Sequence, residues 1–230
     1  MCGRYRLDID WTDIVRLYNL TWDGQVPIPY RYNVAPTDRM PIVVVRDGAR
    51  RLQLARWGLL APWATHPRDG AKCINAKSET AATTASFKVP MVKRRCLVPT
   101  TGFYEWRKGP GKTKTPLWIR PREGGVLTVA GLWQPWRHPE TGEWLDSYTI
   151  LTTGANALVA PIHDRMPVVL PPDAWDRWLD PQTPMDTLTA MLRPAPEGLL
   201  EAVEVSAAIG NVANDTAEAG RAVGGAPGAA

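Results

Sequence analysis

The chain has 230 residues, 44% of them hydrophobic and 22% charged, which are ordinary values for a globular protein with room for a sizeable core. It has neither an apolar run of roughly 20 residues nor an apolar N-terminal leader, so we expect a cytoplasmic protein that does not bind membranes. The cysteines Cys2, Cys73 and Cys96 cannot all pair and show neither CxxC nor zinc spacing, so neither a disulfide framework nor a metal site is expected.

The net charge of +4 hides an asymmetry between the two halves of the chain. Residues 1–120 hold 21 Lys and Arg against 9 Asp and Glu, whereas residues 121–230 hold 6 against 14. A basic half that also contains Trp57, Trp63 and Trp106 suits a polyanion whose bases stack on aromatic rings. On charge alone, the alternative that the basic runs are merely solvated faces has equal weight.

Hydrophobic periodicity and turn residues predict a mixture of helices and strands. The first half begins with a helix over Asp10–Tyr18, a hairpin over Pro41–Trp57 that turns at Asp47-Gly48, and a helix from Ser78 to Phe87. A strand over Cys96–Trp106, broken at Thr100-Thr101-Gly102, is followed by a hairpin over Leu117–Trp133 that turns at Gly124-Gly125 and by a strand over Tyr148–Thr153. The last two elements are helices over Asp173–Leu179 and Thr183–Leu192, the second with Thr183 as its N-cap.

These elements do not alternate strictly, which argues against a doubly wound parallel sheet. We therefore expect one α+β domain with a curved, mainly antiparallel sheet. From Thr216 onward the Ala- and Gly-rich sequence cannot bury a core, so residues 216–230 are predicted to be a disordered tail.

Cys2 follows the initiator methionine, and a small second residue permits removal of Met1. The mature chain would then carry an amine and a thiol on adjacent carbons, with ordinary pKa values of roughly 8 and about 8.5. Such a 1,2-aminothiol condenses with an aldehyde to an imine and closes to a five-membered thiazolidine. From position alone, the alternative that Cys2 is only a small residue near a terminus is the favoured one.

Three further polar residues are candidates for chemistry. His163, beside Asp164, has a side chain that exchanges protons near pH 7, although alone a satisfied loop histidine is favoured. Glu105 lies between aromatic residues that would raise the pKa of its carboxyl, and its alternative is a structural ion pair. Asn75, at a predicted strand end, either binds a ligand oxygen or caps a turn. No P-loop or GxGxxG motif is present, and no cofactor is expected.

Seven segments and a closing motif then occur in a characteristic order: MCGRY, NVAPT, RWGLLAPW, INAKSET, RRCLVPTTGFYEW, GLW, LTTGANALVAPIHDRMPVVL and the late VSAAIGNVAND. Together they resemble the SRAP family, the SOS response-associated peptidases, also described as abasic-site processing proteins. The resemblance covers residues 2–215, which we take as the domain. It implies an α+β fold with a barrel-like curved sheet, flanking helices and a basic DNA-binding groove.

The resemblance also implies roles for individual residues. Cys2 would condense with the ring-opened aldehyde of an abasic site in single-stranded DNA, and Asn75 would orient it. Glu105 would act as the general acid and base for lyase-like Schiff-base chemistry, and His163 would assist proton transfer. The implied DNA contacts are Arg4, Asn33, Ala35, Pro36, Trp63, Lys77 and Arg165. The protein is expected to be a monomer that associates with the nucleoid on damage.

Three functions compete at this point. The first is covalent capture of abasic sites, which needs both the amine and the thiol of Cys2. The second is an N-terminal-cysteine peptidase, whose clear substrate in this sequence is its own Met1. The third is a non-covalent module for single-stranded DNA, for which the basic half and the tryptophans suffice. The chemistry of the aminothiol favours the first.

Overall fold

Strands predominate over short helices in the computed structural model, which describes residues 2–21 and 30–223. The strands are β1 (Tyr5–Leu7), β2 (Arg31–Val34), β3 (Arg39–Arg46), β4 (Ala49–Trp57), β5 (Asn75–Lys77), β6 (Arg95–Thr100), β7 (Gly102–Lys108), β8 (Lys114–Pro121), β9 (Leu127–Arg137), β10 (Trp144–Gly154), β11 (Arg165–Pro167) and β12 (Leu200–Glu204). The α-helices are α1 (Trp11–Tyr18), α2 (Lys88–Lys93), α3 (Trp175–Leu179) and α4 (Met185–Met191), and 3-10 turns cover Pro67–Cys73, Pro172–Ala174 and Ala207–Gly210.

Five strands close into a barrel. Their order is β10-β4-β3-β6-β9, and β9 pairs again with β10 to complete the ring. All pairs in the ring are antiparallel except β4 with β10. Beyond the ring, β10 also pairs with β5 and β11, so one long strand carries two short strands that lie outside the barrel. Closure leaves the barrel strands without free edges and fills its interior with buried aliphatic side chains.

A second, antiparallel sheet has the order β12-β8-β7-β1-β2. It joins the barrel where the chain passes directly from β6 to β7 at Thr101. Gly102 has a φ of +149° and no space for a side chain, since an added Cβ would lie 2.6 Å from the Ile119 carbonyl oxygen. This tight change of sheet places β1 and β7 side by side.

The predicted fold class is confirmed: the chain is α+β with a curved, mainly antiparallel sheet. The first helix is also confirmed, because Asp10 caps α1 by accepting a 2.8 Å hydrogen bond from the Thr12 backbone N–H. The first hairpin is confirmed as β3 and β4, with Asp47 and Gly48 both at positive φ in its turn.

Two predicted elements are wrong. The strands on either side of Gly124-Gly125 do not form a hairpin, because β8 pairs with β7 and β12 while β9 belongs to the barrel. The turn residues are as predicted, but they connect two sheets. Residues 78–87 form successive turns instead of a helix. There the hydroxyls of Thr83 and Thr84 both donate to the Thr80 carbonyl, which competes with regular helical bonding.

The start of α4 and the C-terminal tail also differ from the prediction. Thr183 does not cap α4, because its hydroxyl donates to the Arg177 carbonyl oxygen at 2.6 Å and Pro184 occupies the cap position. Residues 216–223 of the predicted tail are ordered, since Ala222 bridges to Val205 and Gly220 accepts a hydrogen bond from Arg6. Residues 224–230 lie outside the described residues. Within the described ranges, no helix is long and apolar enough to cross a membrane.

Candidate active site

Cys2 is held at the start of the chain by a neighbouring strand. The Asn75 side-chain amide donates a 2.8 Å hydrogen bond to the Cys2 carbonyl oxygen, across 73 positions of sequence. Asn75 is the first residue of β5 and pairs with Ile150 of β10, so the barrel fixes its position. Its Oδ1 atom is buried without a hydrogen-bond partner among residues 2–21 and 30–223. A buried oxygen without a partner can accept a hydrogen bond from an N–H or O–H group of a bound ligand.

A cluster of three aromatic residues packs beside Cys2 and Asn75. Trp57 donates from its indole N–H to the Ile74 carbonyl oxygen at 2.8 Å, directly before Asn75. The Tyr5 and Trp57 rings meet edge to face at 5.2 Å, and the Tyr5 hydroxyl lies 2.7 Å from that of Tyr148. Because all three aromatic residues are fully buried, they fix the backbone at both Cys2 and Asn75.

Glu105 reaches Cys2 through the pairing of β7 with β1. The Tyr104 backbone N–H donates to the Arg4 carbonyl oxygen at 2.9 Å, which brings the next residue of β7 beside the N-terminal segment. Glu105 is only 6% exposed, and this burial raises the pKa of its carboxyl to about 7. Cys2 is 1% exposed, and burial followed by the charge of Glu105 raises the pKa of its thiol far above the ordinary range.

His163 lies on the turn between β10 and β11. Its Nδ1 atom accepts a 3.0 Å hydrogen bond from the Arg165 backbone N–H and also lies 2.9 Å from Oδ1 of Asp164. When the ring is neutral, Nδ1 carries no proton and accepts the hydrogen bond from Arg165. When the ring is protonated, Nδ1 carries a proton that the Asp164 carboxylate stabilises. Burial lowers the pKa of His163, so the neutral form dominates at neutral pH.

The four predicted catalytic residues therefore come together from four separate parts of the chain. Glu105 and His163 line one cleft of about 740 Å3, whose wall also contains Trp106, Lys108, Lys114 and Asp164. Cys2 does not line the cleft, but its segment lies beside Glu105 through the pairing of β1 with β7, and Asn75 is hydrogen-bonded to Cys2. The site thus combines a terminal cysteine, a carboxyl that titrates near neutrality and an imidazole.

Two of the predicted DNA contacts, Arg4 and Asn33, have internal partners. The Arg4 guanidinium donates to Asn33 Oδ1 at 2.7 Å and to the Ile209 and Gly210 carbonyls at 3.1 Å. Asn33 is fully buried, and its amide nitrogen donates to the carbonyls of Ile209, Asn211 and Asn214 at 3.0 to 3.1 Å. These bonds attach the segment after β12 to β2, a structural role that the sequence pattern did not indicate.

Replacing Asn33 with alanine is expected to lower the free energy of unfolding by about 2–4 kcal/mol, because one buried and two part-buried carbonyls and the Arg4 guanidinium lose a partner. Urea unfolding measures this change. Asn211→Ala is the control, since its exposed side chain accepts one local bond from the Ala213 N–H and should change stability by less than about 1 kcal/mol. Equal midpoints for both variants would contradict the structural role.

The remaining predicted contacts lie at or near the surface. Ala35 and Pro36 form a turn closed by a 2.9 Å hydrogen bond from the Ala35 N–H to Asp38. Trp63 is 61% exposed, on a loop fixed by the Trp136 indole, which donates to the Ala64 carbonyl oxygen. Lys77 is exposed at the end of β5. A stacking group and a cation are thus available outside the cleft.

Arg165 is engaged by a carboxylate. Its two terminal nitrogens donate to the two oxygens of Glu79 at 2.7 and 2.8 Å, and one also donates to the Thr152 carbonyl. The guanidinium holds the pKa of Glu79 at about 2. This fork is the geometry in which arginine binds either a carboxylate or a phosphate.

Sequence reasoning missed Glu79, Lys108 and Lys114. The lysines flank the Gly-Pro-Gly turn directly after the GFYEW motif, so a strand-turn-strand reading of residues 102–121 was the available signal. Glu79 is 86 positions from Arg165, and no local pattern indicates that pairing. No group of three or more His, Cys, Asp or Glu suited to a metal occurs within the part of the chain that the structure describes.

Known proteins are similar to this chain in both sequence and fold. The family model described as SOS response associated peptidase (SRAP) matches residues 1–212. Abasic site processing protein YoqW of Bacillus subtilis is 38% identical over 95% of this chain and 98% of its own length. Abasic site processing protein YedK of Escherichia coli is 32% identical over 95% and 98%. A crystal structure of a Bacteroides thetaiotaomicron protein superposes with a TM-score of 0.84 at 26% identity, covering 96% of this chain and all of that one. The chain therefore belongs to the SOS response associated peptidase (SRAP) family.

Proposed function

We propose that this protein processes abasic sites in single-stranded DNA by linking them covalently to Cys2 once Met1 has been removed. The observation that carries the proposal is the hydrogen bond by which Asn75 holds the Cys2 carbonyl, together with the strand pairing that places the buried Glu105 beside the same N-terminal segment. The names of the relatives, abasic site processing proteins at 32–38% identity, support the same substrate.

The reaction has two bond-forming steps. The Cys2 amine attacks the aldehyde carbon of the ring-opened sugar, and the carbinolamine loses water to give an imine. The thiol sulfur then adds to the imine carbon, and the thiol proton ends on the ring nitrogen. The product is a thiazolidine, formed with the net loss of one water, so neither an oxidant nor a cofactor is needed.

The raised pKa of the Cys2 thiol favours this order of events over peptide hydrolysis. A cysteine that hydrolyses successive peptides attacks as a thiolate, which a lowered pKa favours. In the proposed reaction the amine attacks first, and the thiol is needed only after an electrophilic imine has formed. The burial that raises the thiol pKa is therefore compatible with crosslinking and unfavourable for a general peptidase.

Glu105 has the pKa of a residue that both donates and accepts protons near pH 7. As an acid it protonates the departing hydroxyl of the carbinolamine, and as a base it takes the proton from the thiol. His163 would move protons at the sugar, with Asp164 stabilising its charged form. Reversal of the crosslink, which is lyase-like, and removal of Met1 by the protein itself are parts of the same proposal.

The test mixes the mature protein with a single strand that contains one abasic site. We expect a complex that survives denaturant and has the summed mass of protein and DNA minus one water. Cys73→Ser is the matched cysteine control, because Cys73 is half-buried and is not among the proposed reacting groups, so crosslinking should persist. No complex with the parent protein, or an adduct attached at Cys73, would overturn the proposal.

Glu79→Gln is expected to strengthen non-covalent binding of single-stranded DNA about two- to fivefold at low salt. The substitution breaks a charged fork and frees Arg165 to bind a phosphate. Fluorescence anisotropy at several salt concentrations measures the change. Glu123→Gln alters the net charge equally in an exposed turn remote from the cleft. An equal gain in both variants would mean that total charge, and not Arg165, is responsible.

A further inference from the structure

Two lysines face each other at the end of the hairpin that leaves the candidate active site. Lys108 of β7 and Lys114 of β8 are direct cross-strand partners, and both are exposed. Directly opposite residues have their Cβ atoms about 4.5–5.5 Å apart, on one face of the sheet. Like charges in this position destabilise a hairpin, so the pair has no explanation in folding stability.

The turn between them is held by hydrogen bonds. The Gly109 backbone N–H donates to the Thr113 carbonyl oxygen at 3.0 Å, and the Thr113 hydroxyl donates to the Pro110 carbonyl oxygen at 2.7 Å. The two lysines occupy the last register position before this turn. Their backbones are thus fixed relative to each other, while their long side chains can converge on one ligand.

Both lysines line the cleft that contains Glu105 and His163. The charge of Lys108 acts on one residue of this cleft: burial lowers the pKa of His163, and the positive charge of Lys108 lowers it further. Trp106, two residues before Lys108 and so on the same side of β7, also lines this cleft.

Neighbouring cations already have partners. Arg165 is bound by Glu79, Arg4 by Asn33 and by backbone carbonyls, and Arg107 lies 3.5 Å from Glu204. Within residues 2–21 and 30–223, neither Lys108 nor Lys114 forms an ion pair. The pair therefore supplies positive charge to the cleft that is not neutralised by a carboxylate contact.

We propose that Lys108 and Lys114 together bind one phosphodiester of the DNA strand at the outer wall of the cleft, and so position the lesion before it reacts. This rests on the proposed function and adds a second binding point to the same site. A phosphate between two lysines cancels their repulsion, and the ammonium groups need no fixed fork to bind it. A neutral ligand would leave the repulsion in place.

The test measures binding of a single strand that carries a tetrahydrofuran abasic analogue, which lacks an aldehyde and cannot be crosslinked. We expect Lys108→Gln and Lys114→Gln each to weaken binding about three- to tenfold near 0.1 M salt. Lys112→Gln, at the tip of the same hairpin and outside the cleft wall, is the matched control and should have less than a twofold effect. Lys108→Arg should retain binding.

The salt dependence tests whether one phosphate is shared. One neutralised phosphate of a single strand contributes about 0.7 to the slope of log K against log salt. The double variant should therefore lower the slope by about 0.7. Replacing the contacted phosphate with a neutral methylphosphonate, found by scanning the linkages beside the lesion, should remove the effect of both substitutions.

A fall of about 1.4 in the double variant, or equal effects from Lys112→Gln, would overturn the shared site. So would unchanged affinity in the double variant. Crosslinking of the parent protein to an aldehyde-bearing strand is measured separately. If that crosslinking occurs and the lysine variants bind normally, only the lysine proposal fails; if it does not occur, the proposed function fails by itself.

Discussion

Cys2→Ser is expected to abolish the denaturant-resistant complex with abasic single strands, by about three orders of magnitude or to background. Serine is also small, so a cellular aminopeptidase can still remove Met1 without the Cys2 thiol, and the intact mass of the variant shows whether the amine is free. The oxygen of serine is a far weaker nucleophile toward an imine than sulfur, so the reaction should stop at a reversible imine. Denaturing electrophoresis shows the loss, and borohydride reduction before denaturation should recover the complex by trapping the imine.

A chain that retains Met1 separates the two reacting groups. Inserting a leucine between Met1 and Cys2 prevents methionine removal, because the second residue is then large, and it leaves the thiol present without an adjacent free amine. This variant should form neither the stable complex nor the borohydride-trapped one. A stable complex from the insertion variant would mean that an internal thiol or lysine reacts, and it would contradict the role of the N-terminus.

Sequence alone indicated the candidate site residues better than it indicated their surroundings. Short sequence segments contain all four candidates, Cys2, Asn75, Glu105 and His163, and the type of each residue indicates the chemistry that it can perform. Their assembly depends on β1 pairing with β7 and on β5 pairing with β10, and no local pattern encodes either pairing. The family resemblance implied that the four residues act together, but not these pairings.

The errors have the same physical origin. The segment Leu117–Trp133 carries correct turn residues, yet its two strands find stronger partners in different sheets. The DNA contacts expected at Asn33 and Arg165 stay predictions, but their internal partners were not foreseen: Asn33 donates to carbonyls about 180 positions away, and Arg165 binds Glu79. Turn chemistry is local, whereas partner choice depends on the whole packed structure.

The burial of the Glu105 carboxyl lowers the stability of the fold above neutral pH. Its carboxyl has an ordinary pKa of 4.5 and a folded-state pKa of about 7, because burial disfavours the charged form. The folded protein therefore binds this proton more tightly than the unfolded chain. The stability contribution is fully present below about pH 4.5 and is lost as pH rises to about 7, with a cost on the order of 3 kcal/mol above that.

Glu105→Gln is accordingly expected to have opposite effects on activity and stability. The amide is nearly isosteric and carries no charge, so above pH 7 the variant should be more stable than the parent by about 2–3 kcal/mol, or roughly 5–10 °C in Tm. Below about pH 4.5 the two should unfold alike. Crosslinking should slow by about a hundredfold or more, because the acid for dehydration and the base for the thiol are both lost.

Two measurements check this pair of effects. Thermal unfolding from pH 4 to 8 should show a gap between the variant and the parent that opens through the window from about 4.5 to about 7, whereas Glu140→Gln, an exposed carboxyl in the turn between β9 and β10, should show none. The crosslinking rate of the parent should change slope near pH 7, and that inflection should be missing in Glu105→Gln. If the variant is instead less stable at every pH, the Glu105 carboxylate stabilises the fold and is not held there at a cost for proton transfer.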